Sequence, residues 1–170
     1  VGENAALIAT GMKAKVQIVD KSSQRLEQLK GIIGDAIIPQ QSDKVDLKEL
    51  ISECVLLIGG VLIPGAEAPK LITKEMIQAM KPGSVIIDMA AESGGNCVLT
   101  KPGEKVMENG VTILGPLNLP STMPIHASQM YSKNVVNLLE HIMNDGELVL
   151  DLNDVITSGC CITHKGELVS

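Results

Sequence analysis

The chain has 170 residues, of which 45% are apolar and 20% charged, and its formal net charge at pH 7 is −6. This acidic balance argues against nucleic-acid binding, because no basic stripe is available to displace counterions from phosphates. No apolar run approaches the ~20 residues that span a bilayer, and no basic leader opens the sequence, so we expect a soluble protein without membrane insertion.

The length suits one domain. With one Tyr and no Phe or Trp, the core must be aliphatic, as buried parallel strands usually are. The four cysteines form no CxxC pair and no zinc-ligand spacing. We therefore expect reduced, structural thiols and no metal site.

Predicted helices and strands alternate along the chain. Helices are predicted over residues 2–10 with Gly11 as C-cap, from Ser22 or Ser23 to 30, from Asp46 to 52, from Thr73 to 80, and over 125–143. Strands are predicted over residues 15–19 ending at Asp20, 36–39, 54–58, 84–89 and 111–114. This rhythm predicts a doubly wound α/β domain with a parallel sheet. Residues 147–170 alternate weakly and have no obvious strand partner.

Two predicted strands end in small residues. Residues 84–89 run into Ala-Ala-Glu-Ser-Gly-Gly-Asn-Cys at 90–97, and residues 55–58 run into Gly59 and Gly60. Open parallel sheets bind their ligands at the carboxyl ends of strands. Two neighbouring strand ends therefore predict one crevice, with Glu92 as the residue that core packing explains least.

Gly2 and Asp20 fit the second half of a dinucleotide-binding fingerprint. If Gly2 is the last glycine of GxGxxG, the first two glycines and the strand that feeds them would precede residue 1. Asp20 then stands where an acid accepts a hydrogen bond from the adenosine ribose 2′-hydroxyl, which favours NAD over NADP. The alternative is that Asp20 only caps a helix.

Longer motifs carry a family resemblance. Residues 61–73 (Val-Leu-Ile-Pro-Gly-Ala-Glu-Ala-Pro-Lys-Leu-Ile-Thr) and residues 80–88 resemble the family that joins alanine dehydrogenases with the α subunits of proton-translocating nicotinamide nucleotide transhydrogenases. Residues 92–97, 99–104, 118–121, 126–128 and 131–134 are similar to the NAD(H)-binding component of the transhydrogenase branch. Alanine dehydrogenases usually carry Asp at the position of Glu92, but the spacing between Asp20 and Gly59 resembles theirs.

The resemblance implies three segments with different roles. Residues 1–124 would be a Rossmann-type NAD(H)-binding domain that lacks its first strand, and residues 125–145 would be a long connecting helix. Residues 146–170 would be a tail that packs on an N-terminal domain absent from this sequence. A chain of this kind is expected to be inactive by itself.

The resemblance also assigns roles to individual residues. Val1 and Gly2 would approach the pyrophosphate, and Ser42 would contact adenine. Asp20 would hold the adenosine ribose with Lys21, Ser22 and Arg25 beside it, although Arg25 also fits an ordinary solvated helix position. Gly60, Val61 and Leu62 would flank the nucleotide, whereas Val61 and Leu62 could equally be packing residues. The nicotinamide side would be formed by Glu92, the one catalytic candidate, with Asn118 and Leu119, and His126 is expected to be structural.

The implied function is hydride transfer from NADH to NADP held by another component, coupled to proton movement through a membrane-spanning component. The implied protein is a homodimer on the cytoplasmic face of the inner membrane or the corresponding mitochondrial matrix side. The sequence leaves two alternatives open. One is an NAD-dependent alanine dehydrogenase, and the other is an inactive binding or interaction module.

Overall fold

The computed structural model describes residues 1–63 and 65–169. Pro64, in the first family motif, and Ser170, the end of the predicted tail, lie outside the described residues. The chain forms two compact units, Val1–Leu117 and a second that begins at Asn118.

Seven α-helices occur in the described residues. They are α1 (Gly2–Gly11), α2 (Ser23–Ile33), α3 (Leu47–Ser52), α4 (Lys74–Ala79), α5 (Leu119–Thr122), α6 (Pro124–Ile142) and α7 (Val155–Cys160). Four of them begin at a side chain that accepts a hydrogen bond from a first-turn amide, which satisfies a donor with no partner inside the helix. These caps are Ser22, Asp46, Thr73 and Asp154.

The strands of the first unit form two sheets. Strands β1 (Val16–Asp20) and β2 (Ile37–Gln41) make a parallel pair with Val16 opposite Ile37. Strands β3 (Leu56–Gly59), β4 (Val85–Asp88), β5 (Lys105–Glu108) and β6 (Val111–Leu114) make a second sheet in the order β3-β4-β6-β5. In it β3, β4 and β6 are parallel, and β5 is antiparallel to β6.

Each sheet has its own aliphatic core. Beside the four-stranded sheet, side chains from β4, β6, α3 and α4 pack together, and the cluster consists of Ile51, Ile72, Ile77, Met80, Ile86, Cys97, Val111 and Ile113. Beside the two-stranded sheet, Ala6 of α1, Leu29 of α2 and Ile37 of β2 form a smaller cluster. Burial also raises the pKa of the Cys54 thiol, as expected for a structural cysteine.

The second unit contains two hairpins. Strands β7 (Met143–Asn144) and β8 (Glu147–Leu148) pair around Asp145 and Gly146. Strands β9 (Thr163–His164) and β10 (Glu167–Leu168) pair in the same way around Lys165 and Gly166. All four turn residues have positive φ, the conformation of a tight type I′ turn.

The predicted α/β class with parallel strands is confirmed, and several details differ. Gly11 is the last residue of α1 rather than its cap, which is Met12. The ladder of β3 begins at Leu56, so Cys54 and Val55 precede the strand. Strand β5 was not predicted, and the tail does pair, because each of its short strands finds a partner across its own turn. The described parallel strands form two sheets, and the expected strand before residue 1 stays a prediction.

Candidate functional site

The first turn of α1 lies beside residues from both sheets of the first unit. Helix α1 contacts β1 and β3. At its start, a Cβ built on Gly60 would come within 3.3 Å of the Val1 side chain, so these two residues are in contact. The first bond inside the helix runs from the Ala5 amide to the Val1 carbonyl, 3.1 Å. The amides before Ala5 therefore have no acceptor within the helix, which makes this end attractive to anions.

On one side of this turn lies the carboxyl end of β1. Asp20 Oδ1 accepts a hydrogen bond from the Ser22 amide at 2.8 Å, which fixes the turn into α2. The Ser42 amide donates to the Asp20 carbonyl at 3.0 Å, so the ends of β1 and β2 are joined. Lys21 is held in the same turn, because Gln41 Nε2 donates to its carbonyl at 3.3 Å.

Arg25 ties α2 to α1. Its Nη2 lies 2.6 Å from Glu3 Oε2, and its Nη1 donates to Gln28 Oε1 at 3.3 Å. Glu3 sits in the first turn of α1, where its charge would repel an anion bound at the helix end. Arg25 offsets that charge, which is a role that sequence reasoning did not assign to it.

On the other side lie the loops that follow β3 and β4. Val61 and Leu62 are about half exposed, at 45% and 53%. Leu62 lines a cavity of about 660 Å³ together with Glu92 and Gly94. The remaining lining residues come from the same two loops: Ile63, Gly65, Ala66, Glu67 and Ser93. This unit thus brings Leu62 and Glu92 to one cavity.

The loop that carries Glu92 is held from below by the buried carboxylate of Asp88. Asp88 Oδ1 accepts from the Ala90 amide at 3.1 Å, and Oδ2 accepts from the Cys97 amide at 2.9 Å and from Thr100 Oγ1 at 2.6 Å. These three donors compensate for removing the carboxylate from water. The loop is therefore anchored to the end of β4 at both of its ends.

A family model described as "Alanine dehydrogenase/PNT, C-terminal domain" matches residues 1–170. The chain belongs to this family. An NAD(P) transhydrogenase subunit alpha protein of Rhodospirillum rubrum is 45% identical over 139 residues, which are 81% of this chain and 36% of that protein. An alanine dehydrogenase of Bacillus subtilis is 38% identical over 151 residues, which are 86% of this chain and 40% of that protein.

A solved structure shows the same likeness. A transhydrogenase from Sinorhizobium meliloti matches with a TM-score of 0.80 and 32% identity, over 98% of this chain and 49% of that chain. The predicted family resemblance is confirmed. The chain spans less than half the length of each of these relatives.

Within this alanine dehydrogenase and transhydrogenase domain, the predicted site residues fall into three groups. One group surrounds the end of β1: Asp20, Lys21, Ser22, Arg25 and Ser42. A second group follows β3 and β4: Gly60, Val61, Leu62 and Glu92, with Val1 against Gly60 and Gly2 next to it in α1. The third group is Asn118 and Leu119, which begin α5 in the second unit.

Two polar residues that sequence reasoning missed are the most deeply buried of this family domain's strand-end loops. Asp88 is 0% exposed and Asn96 is 1% exposed. Both had a readable signal, because a polar residue that ends an apolar strand or follows two glycines has little reason to be buried without a partner. Lys70 was also missed, and its ammonium donates to the carbonyls of Gly94 and Cys97.

Proposed function

We propose that this chain binds NAD(H) as the nucleotide-binding component of a proton-translocating nicotinamide nucleotide transhydrogenase. The observation that carries the proposal is the convergence on the first turn of α1. That turn contacts Gly60 after β3 through Val1, and α2 through the pair between Glu3 and Arg25. A dinucleotide with its pyrophosphate at this helix end would extend toward a strand end in each direction.

The two halves of the nucleotide would meet different chemistry. Toward β1, the Asp20 carboxylate would accept hydrogen bonds from the adenosine ribose and repel a 2′-phosphate, and Ser42 would lie near adenine. Toward β3, Val61 and Leu62 would cover the nucleotide, and Glu92 would face the nicotinamide. Asn118 and Leu119 would complete that side.

Hydride transfer asks little acid or base chemistry of the protein. A hydride leaves C4 of the reduced nicotinamide and bonds to C4 of the NADP nicotinamide, so the donor becomes oxidised and the acceptor reduced. The protein aligns the two rings and excludes water. The NADP would be held by another component, and a membrane-spanning component would couple the step to proton movement. In the described residues of the chain, no helix is both long and apolar enough to cross a membrane.

A homodimer is also proposed. Helix α6 is 19 residues long and carries exposed apolar side chains, among them Ile125, Met130 and Tyr131, each at least 71% exposed. Such a surface on a long helix is typical of protein contacts. The assembly would bring the chain to the cytoplasmic face of the inner membrane or to the mitochondrial matrix side.

An alanine dehydrogenase is the second candidate. It is favoured by the similarity to the Bacillus subtilis enzyme, which extends over 86% of this chain. The reaction would then oxidise alanine and reduce NAD, and Glu92 would lie near the amino-acid substrate rather than near a second nucleotide.

The first prediction tests the cofactor. Asp20→Asn in the full-length protein keeps an oxygen for the Ser22 amide but removes the charge. We expect the Kd for NADH to rise by roughly one to two orders of magnitude, since a hydrogen bond to a charged group is worth about 1.5–3 kcal/mol. The preference for NADH over NADPH should shrink as well. Titration of the intrinsic NADH fluorescence measures both constants.

Asp35→Asn is the matched control, because Asp35 is an exposed carboxylate paired with Lys30 at 3.6 Å. It should leave both constants unchanged. An Asp20→Asn protein that folds and keeps the wild-type preference would contradict the role of Asp20, and a wild-type protein that binds neither nucleotide would contradict the proposed function.

A further inference from the structure

Asn96 is bonded to the main chain of Val61 through both ends of its amide. Its Oδ1 accepts from the Val61 amide at 2.9 Å, and its Nδ2 donates to the Val61 carbonyl at 2.9 Å. The same Nδ2 donates to the Pro69 carbonyl at 3.1 Å. A neighbouring strand offers its partner this combination of donor and acceptor. One side chain thus continues the pairing of β3 beyond its last ladder residue, Gly59.

Asn96 is itself held rigidly. Its carbonyl accepts from the Leu71 amide at 2.8 Å and the Ile72 amide at 3.0 Å. The next residue, Cys97, donates its amide to buried Asp88 at 2.9 Å. Asn96 is 1% exposed, so its position is fixed by the protein on every side. The amide is a fixed point from which the loop after β3 is suspended.

Gly59 reflects the same contact. A Cβ built there would lie 3.3 Å from Asn96 Oδ1 and 3.6 Å from Asp88 Oδ1. Any larger residue would push against the amide. The absence of a side chain at Gly59 therefore lets Asn96 approach the end of β3 closely.

The bonds join the two walls of the cavity. Leu62, next to Val61, lines one wall, and Glu92 and Gly94 line the other, on the loop that leads to Asn96. The distance between these walls is set by the bonds from Asn96 to Val61. Asn96 is not among the residues that line the cavity.

We propose that Asn96 is a positioning residue that sets the width of the nucleotide crevice by holding the Val61 backbone. The inference rests on the proposed NAD(H) function, because it concerns the fit of a nucleotide between Leu62 and Glu92. Asn96 acts through Val61 and touches no reacting atom.

The test is Asn96→Asp in the full-length protein, with NADH affinity measured by fluorescence titration between pH 5.5 and 8. An ionised Asp accepts hydrogen bonds but donates none, so the carbonyls of Val61 and Pro69 lose their donor. We expect the ratio of the variant Kd to the wild-type Kd to be about tenfold or more at pH 8. A protonated Asp regains one donor, and the ratio should fall toward one as the pH decreases.

The charges around this position favour that recovery. Asp88 lies close to the amide, on the same side of Gly59, and burial beside a like charge raises the pKa of a carboxyl. The ammonium of Lys70 acts in the opposite direction, and it lies 3.5 Å from the Cys97 carbonyl. Asn109→Asp is the matched control, because Asn109 also donates to a main-chain carbonyl, that of Gln78 at 3.1 Å, in an exposed turn.

The outcomes separate clearly. Asn109→Asp should show a ratio near one at every pH. A folded Asn96→Asp protein with a ratio near one at pH 8, or with a raised ratio that does not change with pH, overturns the inference while leaving NADH binding by the wild type intact. If the wild type does not bind NADH, the proposed function fails and this inference fails with it.

A second variant covers a failure of Asn96→Asp to fold. Asn96→Ser leaves one short hydroxyl that can satisfy only one of the two Val61 groups. We expect a Kd ratio of several-fold that does not recover at low pH, together with faster exchange of the Val61 amide hydrogen. Wild-type affinity in folded Asn96→Ser would overturn the inference.

Discussion

At the scale of single residues, Gly94 and Gly95 show how two adjacent glycines differ in what they permit. Both have positive φ, +97° and +84°. A Cβ on Gly94 would meet nothing within 4 Å, whereas a Cβ on Gly95 would lie 2.7 Å from Asp88 Oδ2 and 3.0 Å from Thr100 Cβ. The two positions share backbone strain, and only Gly95 adds a steric conflict.

This contrast gives a prediction for stability. Gly94→Ala should reduce the free energy of unfolding by about 1–2 kcal/mol, the cost of a left-handed conformation for a residue with Cβ. Gly95→Ala should cost a further ~1–3 kcal/mol, because the Asp88 carboxylate or the loop must move. Urea denaturation of both variants measures the difference. Equal losses would show that the Asp88 anchor yields without cost.

At the scale of elements, Asp154 connects α6 and α7 in the second unit. Its Oδ2 accepts from the Thr157 amide at 2.8 Å, which caps α7, and lies 2.7 Å from His141 Nε2 at the end of α6. The Thr157 amide, and after it His141, lowers the pKa of Asp154 from 3.8 to about 2. The ionised form is therefore the one that the folded unit stabilises.

The sign of the pH dependence follows. Because the pKa is lower in the folded state than in the unfolded state, the unfolded chain binds the proton more readily. The contribution of Asp154 is fully present above about pH 4 and is lost as the pH falls toward 2. We expect the protection factor of the Thr157 amide in hydrogen exchange, normalised for intrinsic rates, to decrease across that window.

Two variants check this assignment. Asp154→Ala should abolish the decrease, since the capping carboxylate is gone. Asp145→Asn, in the turn between β7 and β8, should retain it, because Asn also adopts the positive φ found there. A decrease that persists in Asp154→Ala would assign the acid sensitivity to another group.

At the scale of the whole molecule, the two enzyme candidates differ in what Glu92 faces. The assay uses the full-length protein with its natural partner subunits, supplied with NADH and either an oxidised NADP analogue or pyruvate with ammonium. We expect reduction of the analogue and no turnover of pyruvate. Glu92→Gln should lower the transhydrogenation rate only a few-fold, because only the alignment of the rings changes.

Glu104→Gln is a suitable control, since Glu104 forms an exposed pair with Lys101 at 3.7 Å. It should behave as wild type. Robust amination of pyruvate that Glu92→Gln abolishes would favour the alanine dehydrogenase instead.

Local signals predicted most of the elements because they act over a few residues. The caps at Ser22, Asp46 and Thr73 were predicted and are the observed helix starts. Strand β5 was missed because it is only four residues long, Lys105–Glu108, and two of them are charged. The hairpins of the tail were missed for a similar reason, since each strand has two residues and depends on its turn.

The sequence by itself determined the α/β class, the order of most helices and strands, the aliphatic core and the family, because periodicity, caps and long motifs are written along the chain. Only the tertiary structure decided that Arg25 pairs with Glu3, that Asp88 anchors the loop of Glu92, and that Asn96 bonds to Val61, 35 residues away. These are contacts between polar groups distant in sequence. They arise from the need of each buried donor and acceptor for a partner, which can be found only once the strands have brought their ends together.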